Sequence, residues 1–399
     1  MKEVNFPHIG IITAHSLEGY GVSVRMNKEI CAFRRLGYPV TVFSLVQEGT
    51  IYGSEVCCIS GSFSKITRIL GFDYIANSRY LINYVFTPRR IRELARKLGE
   101  KVATIANRRG IKILFTDDFI GSLIGLEAKR NMRKSTIVVG EFADLIYLDY
   151  KERFGMDDED PLVMNLKEML IEVIKELDFV LFVSPIDAEI ATRQLYFSSR
   201  KIIVLYEAGD INSPFKSSYE LNNSICYLGS ISKWEYPDLF LKSYSYAKIS
   251  NNELIYKVIG AGPILKRMKR LSKEIDGKII FYGWKPYNEA IDLCLDTDLG
   301  VVPTIKERAM PSKLFVYSSL GLPVISMDGM WWSNKIVKAY NIGYVTPPNP
   351  EGIGAGISEA MDDPEGLRER GIRARKMIEK HFNWEKRTKK ILSLVENEN

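Results

Sequence analysis

A chain of 399 residues, 46% hydrophobic and 26% charged, has the composition of a soluble globular protein and the length of two ordinary domains. No run approaches the roughly 18 apolar residues of a membrane-spanning helix, and the five cysteines lack both metal-type spacing and the pattern of a disulfide framework. A net charge of +6 without any recognisable binding motif argues against nucleic acid as a partner.

The N-terminal MKEVNFPHIGIITAHS has a short, broken apolar stretch that reads as a first strand rather than a cleavable leader, which places the protein in the cytoplasm. In chain order, HIGIITA, YPVTVFSL, IKILFTDD, STIVVGEF, FVLFVS and RKIIVLYEAG predict the strands of a first half. ICYLGS, LIYKVIGAG, KIIFYGW, DLGVVPT, LPVISMD and IGYVTPP predict those of a second. Amphipathic stretches such as PRRIRELARKLGEKVATIANRRG lie between them, and the acidic loop at 157–161 precedes a long helix through Leu177. This alternation implies an α/β protein with two doubly wound, Rossmann-like domains, whose ligands sit outside the carboxyl ends of the strands. The Ser/Asn-rich stretch 209–224, with Pro214, predicts the domain boundary, so that residues 1–212 form one domain and 213–382 the other.

Between Arg79 and Lys134, Lys and Arg far outnumber Asp and Glu. Two readings stand: solvated helix faces, or a cationic surface for anionic lipid or a phosphate-bearing acceptor, beside the apolar run LINYVF at 81–86. The second reading would make the protein peripheral at the inner face of the cell membrane.

Four segments carry candidate chemistry. In HSLEGYGVSVRMNKEI, Gly19 and Gly21 stand between a strand and a helix, where backbone can approach a phosphate or sugar; a plain tight turn explains them equally well. His15 follows the same strand and could line the site, or cap or pack. In VVGEFADLIYLD, Glu141 and Asp144 lie at and just past a strand end, placed to orient an acceptor hydroxyl or take its proton, or to serve as salt-bridge partners. In ICYLGSISKWEYPDLF, Gly229 ends a strand, and Ser230, Ser232 and Lys233 could meet a diphosphate. In DLGVVPTIKERAMPSKLFVYSSLGLPVISMD, Ser312 is expected in a capping position with Lys313 in the first helical turn. A cation there opposes the helix dipole unless an anion sits between them.

This last segment resembles the donor-binding region of retaining glycosyltransferases of family four, which have the GT-B fold of two facing Rossmann-like domains with a cleft between them. The resemblance rests on Asp298 to Pro303, then Pro311, Lys313, Phe315, Tyr317, Gly321, Pro323, Val324 and Ile325. GEFADL, DFVLFVS, VLYEAGD, VIGAGP and FYGWKPYNEA agree in order and spacing. HFNWEKRTKKILSLV is similar to a C-terminal helix that crosses back, so that 383–399 would complete the first domain. There are departures. The family's two glutamates, seven residues apart, would fall at Arg308, with Glu307 adjacent, and at Val316; its diphosphate-binding Arg is Ser230.

The resemblance implies transfer of a sugar from a nucleoside diphosphate to a hydroxyl of a lipid-linked or glycan acceptor. Lys313 and Lys233 would neutralise the leaving diphosphate beside Ser312 and Gly229, Trp284 would lie by the base, and Glu307 is the nearest acid for the ribose. Asp144 and Glu141 would serve the acceptor side, with no metal and no cofactor beyond the donor. A GT-B-fold protein that has lost transfer chemistry and acts as a binding or partner subunit is the alternative, favoured by Val316 and Ser230. An epimerase or phosphorylase on the same fold is a third.

Overall fold

The computed structural model describes residues 6–15, 17, 22–45, 49–59, 87–133, 135–195, 197, 201–216, 221–247 and 254–396. The described chain up to Leu205, together with Thr388 onward, forms one unit, and Tyr206–Arg387 forms a second. These breaks lie seven and five residues from the 212/213 and 382/383 positions expected from the sequence. Among the described residues no helix is long and apolar enough to cross a membrane.

In the first unit eight strands make one sheet: β1 (Ile9–Thr13), β2 (Val40–Ser44), β3 (Gly49–Ile51), β4 (Ser54–Cys58), β5 (Ile113–Asp117), β6 (Ile137–Phe142), β7 (Phe179–Phe182) and β8 (Ile202–Val204). Their order is β3-β4-β2-β1-β5-β6-β7-β8, parallel throughout except for the β3–β4 pair. β1, β2 and β5 are buried at every position, as apolar runs covered on both faces should be. The helices Pro88–Arg109, Asp118–Asn131 and Pro161–Glu176 bury one face through Ile91, Ile124 and Leu166. The other face is covered by Met26, Ile30 and Phe33 of the helix Val22–Arg35, and by Ile391, Leu392 and Val395 of the C-terminal helix. The long helix after the acidic loop begins where Asp160 accepts the Leu162 N–H at 2.9 Å, an N-cap followed by Pro161. The β3–β4 hairpin is not among the strands predicted from the sequence. It turns on Tyr52 and Gly53, both left-handed (φ 47° and 73°), the conformation that a two-residue hairpin requires.

The second unit holds β9 (Ser224–Leu228), β10 (Ile255–Ile259), β11 (Lys278–Gly283), β12 (Leu299–Val302), β13 (Val324–Met327) and β14 (Gly343–Thr346). The order β11-β10-β9-β12-β13-β14, all parallel, is 3-2-1-4-5-6 when counted within the unit, the order of dinucleotide-binding sheets. It reverses between β9 and β12, as the first sheet's order reverses between β1 and β5.

The helix Ser312–Leu320 is held against this sheet by close packing. The Tyr317 ring is fully buried, its hydroxyl accepts the Leu228 N–H at 2.8 Å, and it lies over Gly300 in β12. At the amino ends of the strands, buried Asp298 accepts from the Asn222 and Ser224 N–H groups and from Lys216 Nζ, all within 3.1 Å. The aspartate that leads the DLGVV strand is therefore a tie between β9, β12 and the chain that precedes β9. A methyl group at Gly300 would stand 2.5 Å from the Tyr317 ring. Gly300→Ala should therefore cost roughly 1–3 kcal/mol in chemical denaturation, the usual penalty of overpacking a closed core. A variant of unchanged midpoint would show that the ring is free to shift.

Candidate functional site

At the reversal of the second sheet, β9 runs into Gly229, whose φ of 141° is open to glycine alone at little cost. The next loop is pressed against it. A Cβ on Gly260 would lie 1.9 Å from the Gly229 carbonyl oxygen, and the Ile231 N–H donates to the Ala261 carbonyl at 2.9 Å. After this floor comes a single 3-10 turn, Lys233–Glu235, and then the helix Pro237–Lys242. From the other side of the reversal the helix Ser312–Leu320 begins. Pro311, not Ser312, holds its capping position, and no side chain caps its first N–H groups. Proline fits just outside the helix because it needs no N–H there.

Lys313 is 9% exposed and reaches back over Gly229: its Nζ lies 3.6 Å from where a Gly229 Cβ would be. The ammonium stands 4.9 Å from the centre of the Tyr227 ring and is ion-paired with Glu235. Burial, and then the Glu235 charge, pushes the Tyr227 phenol well above its ordinary range, so that it stays neutral beneath the cation. Its hydroxyl donates to the Ser230 carbonyl.

Lys313 lies 84 positions after Gly229, and the structure brings it to Gly229 and Ser230 only because β9 and β12 are neighbours. Lys233 is exposed on the adjoining turn. Trp284, 52% exposed, follows β11, and Glu307 is exposed in the loop after β12. Arg308 is buried, and Val316 is half-buried against the apolar cluster around Phe315 and Leu320. Glu235 is the participant that sequence reasoning missed. An acid two positions beyond a lysine in a polar loop carries no local signal.

The first sheet has a polar cluster at its own reversal. Thr13 ends β1 and donates to Asp117 Oδ2 at 3.0 Å, and Asp117 ends β5. Arg25, 3% exposed, donates to Asp117 Oδ1 at 2.9 Å and places its Nε 3.2 Å from Glu141 Oε1. Asp117 and Glu141 are both fully buried. Glu141, expected on the acceptor side, lies buried beside Arg25. His15 Nε2 lies 3.4 Å from Asp118 and 3.9 Å from Asp117. Asp118 is left-handed, with φ 56°, a strained position for a residue with a side chain, and its Oδ1 accepts the Ala143 N–H at 3.0 Å. Asp144 is half-buried in the turn that follows β6, next to that bond. Gly19 and Gly21 lie outside the described residues.

The sequence showed no metal-type grouping, yet His15, Asp117 and Asp118 bring three ligand-type atoms within 4.8 Å of one another, the one such trio among the described residues. Arg25 and the imidazole already oppose their charge. Burial works against a charged His15, but the Asp118 hydrogen bond and the charges of Asp117 and Asp118 outweigh it and raise the histidine pKa. Asp118 moves the opposite way. Burial alone would raise it, while His15 and Arg25 bring it below the ordinary value. Burial and the neighbouring Asp118 raise Asp117.

The basic stretch is less unopposed than its composition suggested. Lys97 and Arg96 pair with Glu93 and Glu100 on their own helix, while Arg92, Arg130 and Lys129 find Glu172, Glu176 and Asp178 from elsewhere in the unit. These five residues belong to a salt-bridged surface. The LINYVF run lies outside the described residues.

Comparison with known proteins bears on this geometry. Residues 210–377 match the family of glycosyl transferases group 1. That span is nearly the whole second unit. Among curated proteins none matches by sequence. Solved structures match over the whole length. Sucrose-phosphate synthase of Thermosynechococcus elongatus superposes with a TM-score of 0.73 at 15% identity, covering 98% of each chain. HepE of Anabaena in complex with UDP-glucose gives 0.69 at 13%, covering 98% of this chain and 99% of that one. WaaG, a glycosyltransferase involved in lipopolysaccharide biosynthesis, gives 0.66 at 12%, covering 97% and 99%. Identities this low establish the fold: the chain has the two-domain α/β architecture of GT-B glycosyltransferases.

Two outcomes follow from the first-unit cluster. Arg25→Met leaves two buried carboxylates without their cation and should destabilise the protein by about 3–5 kcal/mol in denaturant titration; a loss below about 1 kcal/mol would mean that water reaches them. Because the folded pKa of His15 is raised, its pair with Asp118 stabilises fully below the unfolded value near 6.5 and loses that contribution as pH rises through the folded value. Melting temperature should decline over that window, and His15→Gln should flatten the decline.

Proposed function

We propose that this protein is a retaining glycosyltransferase that moves a sugar from a nucleoside-diphosphate donor to a hydroxyl of a lipid-linked or glycan acceptor. One observation carries the reading: the Lys313 ammonium held over Gly229 at the strand-order reversal of the second sheet. In such a transfer the bond from the sugar C1 to the diphosphate oxygen breaks, a bond from C1 to the acceptor oxygen forms, and the acceptor proton leaves. Negative charge therefore grows on the departing diphosphate. A cation fixed in advance, together with the first N–H groups of the helix Ser312–Leu320, stabilises that charge where little water competes.

Gly229 leaves room for phosphate oxygens where a side chain would crowd the lysine. Lys233, exposed on the adjoining turn, approaches a second phosphate, and the exposed indole of Trp284 offers a face to the base. The family match over 210–377 supports transfer chemistry for this unit, and the Anabaena relative seen with UDP and with UDP-glucose supports a nucleotide sugar as the donor. Charge compensation rests on lysine, so no metal and no further cofactor enters this reading. For the acceptor side, Asp144 and the His15–Asp118 pair are the candidate groups of the first unit. Val316, half-buried on an apolar face, leaves the donor ribose to a group other than the carboxylate that the resemblance would put there, with Glu307 the nearest acid in the loop.

Isothermal titration against UDP, GDP and ADP tests the proposal directly. One of them should bind, and Lys313→Ala should weaken it by about tenfold or more, the scale of one charge-assisted hydrogen bond. Stability should change little, because Glu235, already 30% exposed, can turn to water when its partner is gone. Equal affinity in the variant would remove Lys313 from the site. Failure of all three nucleotides to bind would favour the non-catalytic alternative.

A further inference from the structure

The candidate diphosphate site already contains an anion of the chain's own. Lys313 is paired with Glu235, and the two partners are unequally held. The lysine is 9% exposed, sits on a helix whose Leu314 and Phe315 are core residues, and lies against the Tyr227 ring. The carboxylate is 30% exposed and ends a single 3-10 turn, so it can move into water while the ammonium cannot. A lysine this deep needs a counter-charge at all times, since an unpaired buried ion is costly. A diphosphate and Glu235 would both seek the same ammonium, and two anions that close repel each other.

Resting on the donor site proposed above, we infer that Glu235 is a placeholder for the donor's diphosphate and sets the affinity and charge selectivity of the site. It neutralises Lys313 when the site is empty and must release it when donor binds. Each anion then pays the cost of displacing Glu235, which a diphosphate offsets through contacts from two phosphate groups and a single phosphate through contacts from one.

Titration calorimetry with inorganic pyrophosphate, inorganic phosphate, UDP, GDP, ADP and uridine tests this on wild type, Glu235→Gln and Glu235→Gln/Lys313→Ala, with melting temperatures as the check on folding. Glu235→Gln should bind pyrophosphate and the preferred nucleoside diphosphate about tenfold more tightly. Phosphate should gain by a similar factor, since it displaces the same carboxylate, and uridine should not change. The double variant should lose the gain. Unchanged or weaker anion binding by a folded Glu235→Gln overturns the inference, as does a gain that survives in the double variant. If pyrophosphate tightens as expected while no nucleotide binds any of the proteins, the placeholder stands and the nucleotide-donor reading falls.

Discussion

Everything chemical in this protein depends on where the order of parallel strands reverses. Two neighbouring strands whose connections depart in opposite directions leave a crevice at their carboxyl ends, with loop backbone on both sides. The first sheet opens one between β1 and β5, the second between β9 and β12. Thr13, His15, Asp117 and Asp118 occupy the first; Gly229 and, at the start of the following helix, Lys313 occupy the second. The close glycine contacts serve these places. Gly260 lets its loop lie on Gly229, and Gly300 admits the ring of Tyr317, so that the helix bearing Lys313 sits at a fixed distance from β9.

Several ion pairs with a buried member lie at one end or the other of the sheets. Lys216–Asp298 and Lys257–Asp296 gather around the residues that lead into β12, where they tie chain segments together. The Arg25 network and the Lys313–Glu235 pair lie at the carboxyl side. Burying ions is a poor route to stability, because desolvation offsets most of what pairing returns. The two carboxyl-side groups, one of them with a strained Asp118, show the pattern expected of sites kept for binding and chemistry.

The two crevices differ in character. The second is a cation over open glycine backbone at a helix start, suited to an anion. The first gathers Asp117, Asp118 and Glu141 around Arg25 and a histidine whose pKa Asp118 and Asp117 raise, a set rich in hydrogen-bond acceptors that suits hydroxyl groups better than phosphate.

The sequence by itself determined the strands that lie within a parallel sheet, because a strand covered on both faces must be apolar almost throughout, and such runs are legible one at a time. It also marked helix starts at Asp160–Pro161 and Pro311, and the local grouping of Ser312 and Lys313 behind a buried strand. The β3–β4 hairpin escaped because its turn, Tyr52-Gly53, is short and its strands are only partly buried, leaving little pattern to read. Only the tertiary structure decided which charges meet. Glu235 lies 78 positions from Lys313, and Arg25 lies 92 from Asp117. Arg92, Arg130 and Lys129 of the basic stretch likewise meet Glu172, Glu176 and Asp178 from farther along the chain. Periodicity and capping act over a few residues, whereas these pairs exist because strand order brings distant strand ends side by side. No local feature of a carboxylate records which cation it will face.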